Sequence, residues 1–169
     1  MNVLTATETQ NGVLNDPNIN IADGTTGTFF TRYYRADAST HMNFGLSDLA
    51  DPVPESWSGF ESQIRDQESQ MAVRDGGGFA DVDNVPLEPV NEWINLWIVA
   101  NNDTDTNEYY IQSDTTYPTQ TKLSSGGKDV FDFRNGTTDA LVTFYIRNAT
   151  PHTGPGTSTI STLITVVPT

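Results

Sequence analysis

Cysteine is absent from this 169-residue chain, and histidine occurs only at His41 and His152. Without thiols there is no disulfide framework, no thiolate metal site and no cysteine nucleophile, and a tetrahedral zinc site would have to draw on carboxylates. Basic residues are scarce as well: Lys122, Lys128 and six arginines stand against 22 acidic residues, a formal charge of −14. A charge of that sign repels phosphate backbones, so nucleic acid is a poor partner. No stretch approaches the roughly 18 apolar residues of a membrane span, so no membrane insertion is expected. Met1 to Ile21 lacks the basic start and apolar middle of a secretory leader. Helical periodicity is missing too; no segment reads as an amphipathic helix.

What is present is alternation. β-Branched and aromatic residues recur with period two, and Gly, Pro, Asn and Asp punctuate the runs, as short antiparallel strands require. Strands are expected over residues 28–35, 42–47, 59–66, 69–75, 93–101, 107–113, 120–123, 129–134, 141–148 and 157–167. In 141–148, Val142, Phe144 and Ile146 alternate with Thr143, Tyr145 and Arg147, giving one core face and one wetted face. The run Trp93-Ile94-Asn95-Leu96-Trp97-Ile98-Val99 is apolar on both sides, which predicts a central strand covered from both faces with Trp93 and Trp97 in the core. The whole reads as an all-β, two-sheet antiparallel β-sandwich, because a single sheet would leave an apolar face in water. At this length about 70% of the unfolded chain's surface is buried, enough for one core without staples. A single domain over residues 1–169 is expected, with 1–17 an extended N-terminal segment.

The arginines are distributed unevenly. Arg32, Arg35, Arg65, Arg74, Arg134 and Arg147 all fall in or at the end of expected strands, whereas most carboxylates fall in loops. Alternation puts Arg32, Arg74, Arg134 and Arg147 on the solvated side, with Tyr34, Tyr145 and Gln63 at equivalent positions, so one curved sheet can gather them. Guanidinium forks recognise carboxylate or sulfate in bidentate geometry, and tyrosine rings stack on sugar faces. Such a surface suits an acidic polysaccharide. The competing reading is that each arginine pairs across strands with Glu61, Asp66, Asp75 or Asp132. Trp57, among Pro54, Ser56, Ser58 and Gly59, reads either as an exposed stacking residue or as a lid over the core edge.

Asp103-x-Asp105-x-Asn107 carries the alternating oxygen ligands of a calcium loop, with Asp114 where a twelve-residue loop needs its last ligand. Glu108 occupies the position that requires glycine, however, and a solvated hairpin turn competes with a structural Ca²⁺ site. Catalytic signatures are wanting: there is no Glu-x-Asp-x-x-Glu strand, no Gly-x-Ser-x-Gly elbow and no phosphate-cradling glycine loop. Asn-x-Thr sequons at Asn102, Asn135 and Asn148 are glycan acceptors only in a eukaryotic secretory route.

The segments Ile21-Ala22-Asp23-Gly24-Thr25-Thr26-Gly27-Thr28-Phe29-Phe30, Asn43-Phe44-Gly45-Leu46-Ser47-Asp48, Val73-Arg74-Asp75-Gly76-Gly77, Trp93-Ile94-Asn95-Leu96-Trp97 and Phe133-Arg134-Asn135-Gly136 resemble the laminin-G-like, concanavalin A-like jelly-roll modules of bacterial surface proteins. The resemblance runs from about Asn18 to Asn148. It implies a two-sheet jelly roll and glycan binding on a sheet face or loop edge, in an extracellular or cell-surface setting. Members commonly end in a strand with paired aspartates, which residues 157–169 lack.

Together these features predict a non-catalytic, lectin-like carbohydrate-binding module of an exported bacterial protein. Arg74, Arg134, Arg147, Tyr145 and Trp57 would contact an acidic polysaccharide. The alternative is a self-associating surface or filament subunit, suggested by the β-rich run 160–167, which can pair with a neighbour's open edge.

Overall fold

The computed structural model describes residues 3–4, 12–14, 19–35, 42–51, 57–67, 70–86, 89–148, 162–163 and 165–168. His41, His152, the 151–156 turn and most of the 1–17 segment lie outside this set. The chain runs through β1 (Val3–Leu4), β2 (Gly12–Leu14), β3 (Thr26–Arg35) and β4 (Met42–Ser47) to a 3₁₀ turn at Trp57–Gly59. There follow β5 (Ser62–Gln67), β6 (Gln70–Asp75), β7 (Gly78–Asp81), β8 (Glu92–Asn101), β9 (Thr106–Ser113), β10 (Thr121–Lys122) and β11 (Phe131–Asp132). The last strands are β12 (Thr143–Asn148), β13 (Thr162–Leu163) and β14 (Thr165–Pro168).

Two six-stranded antiparallel sheets result. The first has the order β10-β9-β8-β3-β14, with β11 also pairing β9; the second is β2-β12-β4-β5-β6-β7. β1 pairs β13, so the segment read as extended contributes strands. β14, which overlaps the expected terminal strand at 165–167, pairs β3 of the same chain.

The first sheet follows the period-two rule strictly. On β3 the buried residues are Gly27, Phe29, Thr31, Tyr33 and Arg35, and on β8 they are Glu92, Ile94, Leu96, Ile98 and Ala100. Phe29 stacks on Phe144 of the second sheet with centroids 4.3 Å apart, and Tyr33 packs on Phe44 at 4.6 Å. Each such ring contributes roughly 1.5–3 kcal/mol by leaving water. At one end of this core Arg35 meets Asp66 at 2.8 Å, both side chains fully enclosed, and the Tyr33 hydroxyl donates to Asp66.

β4 is buried along its whole length. It lies between β12 and β5, and its outward positions are small or polar: Asn43, Gly45 and Ser47. Phe60 covers that outer face, stacking on Tyr145 at 4.2 Å. Gly45 makes room for this cover; a Cβ there would sit 2.0 Å from the Ser62 carbonyl and 2.4 Å from the Phe60 ring. The expected glycine turn at 75–78 is a hairpin between β6 and β7, with Asp75 opposite Gly78 and Gly76 at φ 58°. β7 itself was not anticipated. Residues 129–134, expected as one strand, form a ladder only at Phe131 and Asp132.

Two expectations are corrected here. Trp93 and Trp97 are not core residues; they alternate with the buried Ile94, Leu96 and Ile98 and lie half-buried on the outer face of the first sheet. The arginines do not share one sheet. Arg32 and Tyr34 occupy the outer face of β3 in the first sheet, while Gln63, Arg74 and Tyr145 belong to the second.

Candidate functional site

The candidate site lies on the outer face of the second sheet, toward its β5-β6-β7 side. Arg65 of β5 stands opposite Asn43 of β4 and Ala72 of β6, and Arg74 of β6 stands opposite Phe79 of β7. Alternation sends these side chains away from Ile64, Met71 and Val73, which occupy the core. Both guanidinium groups rest against the Phe79 ring, Arg65 at 4.1 Å and Arg74 at 3.9 Å from its centroid. Cation–π contacts of this kind contribute roughly 0.5–2 kcal/mol and hold the groups flat.

Arg74 is nearly enclosed. Its Nη2 donates to Gln63 Oε1 at 2.8 Å, and its Nη1 donates to the carbonyl oxygens of Gly78 at 3.1 Å and Gly77 at 3.4 Å. Gln63 in turn donates from Nε2 to Asn43 Oδ1 at 3.5 Å. Burial brings the Arg74 guanidinium down to about 10, and the like charges of Arg134 and Arg65 add to the effect.

Arg134 reaches the same region from the segment after β11. That segment is tied down by Glu61: Arg134 N donates to Glu61 O, and the Asn135 N–H and side-chain amide donate to the two carboxylate oxygens at 3.0 and 3.2 Å. Glu61 is buried, and that burial together with the nearby charge of Asp48 raises its carboxyl above the usual range against the lowering effect of Asn135.

None of these three arginines has an ion-pair partner among the described residues. Of the four carboxylates expected to pair with the arginines, Asp66 does so with Arg35, whereas Asp75 and Asp132 are engaged by Lys128 and Glu61 by Asn135. Arg65 Nε, Arg74 Nε, Arg134 Nη1 and Asn43 Nδ2 are buried donors without a hydrogen-bond partner. A cluster of positive charge with no carboxylate partner is an exception in a chain of charge −14, and chemically it suits a planar or tetrahedral oxyanion.

The sandwich is similar to that of a galectin. Galectin LEC-6 of Caenorhabditis elegans superposes with a TM-score of 0.50 at 10% identity, over 95% of each chain. A toad ovary galectin complexed with thio-digalactose gives 0.49 at 10% identity, over 93% of this chain and 98% of that one. The GH131 β-glucanase catalytic domain of Podospora anserina gives 0.48 at 10% identity, over 87% of this chain and 59% of that one. At such identities the likeness to the LEC-6 galectin is one of fold, and it agrees with the two-sheet jelly roll expected from the sequence. No family model matches the chain, and no curated protein matches it in sequence.

The structure redistributes the residues singled out from the sequence. Arg74 and Arg134 are brought together, joined by Arg65. Arg147 occupies the register position opposite Asn43, in the same row as Arg65, but its side chain lies outside the described residues. So does that of Trp57, which opens the 3₁₀ turn. Tyr145 is corrected: it is fully buried beneath Phe60 and offers no open ring. Asp103 and Asp105 lie in a hairpin turn between β8 and β9, and Asn107 lies in β9 itself, rather than in a twelve-residue loop. Asp103 is exposed, Asp105 accepts from Thr137 N at 3.1 Å, and Asn107 is buried on the inner face. These residues do not fit a calcium loop, and among the described residues no three His, Cys, Asp or Glu side chains group as metal ligands. Gln63 was expected on the arginine face; Arg65, Asn43 and Phe79 were missed there. The signal available for Arg65 was alternation with Ile64, which sends it to the same face as Gln63.

Proposed function

We propose that this chain is a non-catalytic carbohydrate-binding module that takes an acidic glycan on the outer face of its second sheet. Arg65 and Arg134, which are half-buried, would bind carboxylate or sulfate groups, the enclosed Arg74 would add its charge from beneath, and the buried Gln63 and Asn43 together with Phe79 would hold the guanidinium planes in place. The observation that carries this reading is the gathering of three arginines on one face with no carboxylate in ion-pair distance among the described residues. Binding is favoured over turnover because the carboxylate beside the cluster, Glu61, is engaged at both oxygens by Asn135, and glycoside hydrolysis needs two working carboxylates. Composition and the bacterial surface-module resemblance support a place outside the cell.

The test is affinity electrophoresis through gels holding alginate, a sulfated galactan or a neutral glucan. The acidic polymers should retard the protein, and Arg134→Met should weaken that binding about 10- to 100-fold, the loss of a charge-assisted hydrogen-bond donor. Equal mobility in acidic and blank gels would sink the proposal, and release of reducing ends would replace it with an enzymatic reading.

A further inference from the structure

The opposite side of the molecule carries a second surface of different chemistry. On the outer face of the first sheet the register forms rows across the strands. Phe30, Trp97 and Tyr110 lie side by side on β3, β8 and β9, and Tyr34 lies beside Trp93. Between these aromatic rows runs a polar one, Arg32, Asn95 and Gln112. The rings touch: Phe30 and Trp97 have centroids 5.1 Å apart, and Tyr34 meets Trp93 edge-on at 5.5 Å. All are half-buried; the Arg32 guanidinium lies over the Trp93 ring at 4.9 Å from its centroid, and no cation lies over Trp97 among the described residues.

A bare aromatic sheet face costs solubility and is uncommon without a use. Its charge state points to the class of occupant. Arg32 is paired with Asp114 at 3.4 Å, and Lys122, beside Tyr110, is paired with both Glu108 and Asp129. Unlike Arg65 and Arg74 on the other side, these cations are balanced, so the face asks for no counter-charge. What remains is stacking surface interleaved with amide and guanidinium groups, the combination that binds apolar ring faces and equatorial hydroxyls together. A second copy of the chain is disfavoured as the occupant because each copy carries −14 and like charges repel on approach.

We propose that this face is a second glycan site that takes an uncharged polysaccharide chain. Its sugar rings stack on Trp97, and its hydroxyls bond Asn95 and the Oε1 of Gln112, whose Nε2 donates to the Pro118 carbonyl at 2.8 Å. The site stands independently of the arginine cluster.

The test uses the intact chain in affinity gels containing mixed-linkage β-glucan, arabinoxylan or galactomannan, with alginate alongside. At least one neutral polymer should retard it. Trp97→Ala should weaken that retardation tenfold or more while leaving any alginate binding within twofold, and Arg134→Met should leave the neutral binding unchanged. Gln112→Ala, a milder change, should cost several-fold and serves if the tryptophan variant misfolds. Three results would overturn the proposal: no neutral polymer retards the protein, folded Trp97→Ala protein binds as the wild type does, or sedimentation shows a dimer that Trp97→Ala dissolves. Because ligand and variants differ from those of the arginine site, either site can fail alone.

Discussion

Replacing Asp66 with asparagine isolates the charge in the interior. Arg35 and Asp66 contact at 2.8 Å with side-chain exposures of 0% and 1%, so neither charge is screened by solvent. With charge centres about 4 Å apart, an effective dielectric constant near 20 gives roughly 4 kcal/mol of attraction, which offsets the cost of burying the two ions. Asp66→Asn keeps the shape and an acceptor for the Tyr33 hydroxyl but removes the counter-charge from a buried guanidinium. The expected loss is about 3–5 kcal/mol, out of a total of about 5–15 kcal/mol. For a chain of this size that corresponds to a fall in Tm of roughly 6–20 °C. Urea titrations followed by circular dichroism measure it. Arg35→Met/Asp66→Asn should recover at least half of the loss, since no uncompensated charge is then left inside. If Asp66→Asn costs under 1 kcal/mol, or the two changes simply add, the pair is not the electrostatic unit described here.

Two further outcomes are expected. Gly45→Ala should destabilise the fold by about 1–3 kcal/mol or more, because the added methyl meets the Ser62 carbonyl and the Phe60 ring; an unchanged urea midpoint would show that Phe60 does not lie against the sheet. Binding of a sulfated galactan should strengthen as pH falls from neutral toward the raised Glu61 value, because protonation removes a negative charge beside Arg74 while sulfate stays ionised. Glu61→Gln should flatten that profile, and a wild-type profile already flat between pH 7 and 5 would refute the coupling. For stability the sign is opposite to that of an ordinary carboxylate: with its folded value raised, Glu61 favours the folded state below its unfolded value, and that contribution is lost as pH rises through the folded one.

The sheet architecture was legible because burial here follows period two. Met42–Ser47 has the bounds expected from its residues, and β3, β8 and β9 agree to within two residues at each end. What alternation on one strand could not give was the identity of the covered side. In Trp93–Val99 both faces are apolar, so a core with a solvated aromatic face looks the same as a strand buried on both sides. Only the pairing of β8 with β3 and β9, which lines Phe30 and Tyr110 up with Trp97, separates them. The same limit applied to the arginines. Arg32 and Arg74 leave their strands' core faces as alternation expected, but the division of β3 and β6 between sheets is a long-range property that no local spacing carries. Arg134 reached the site because Glu61 and Asn135 hold its segment, a contact between residues 74 positions apart. Tyr145 was misjudged because a partner from outside the ladder, Phe60, covers a position that its own strand leaves open.

The outer margin of β9 bears on how the molecule coexists with its own copies. Instead of one long neighbour it has two-residue fragments, β10 against Tyr110 and Ile111 and β11 against Thr106 and Asn107. An incoming strand would find no uninterrupted row of free amides to zip onto, and would meet Lys122 clamped between Glu108 and Asp129 on the way. Such broken, charged borders act as gatekeepers against fibril growth, so concentrated solutions of the protein should resist nucleation along this rim.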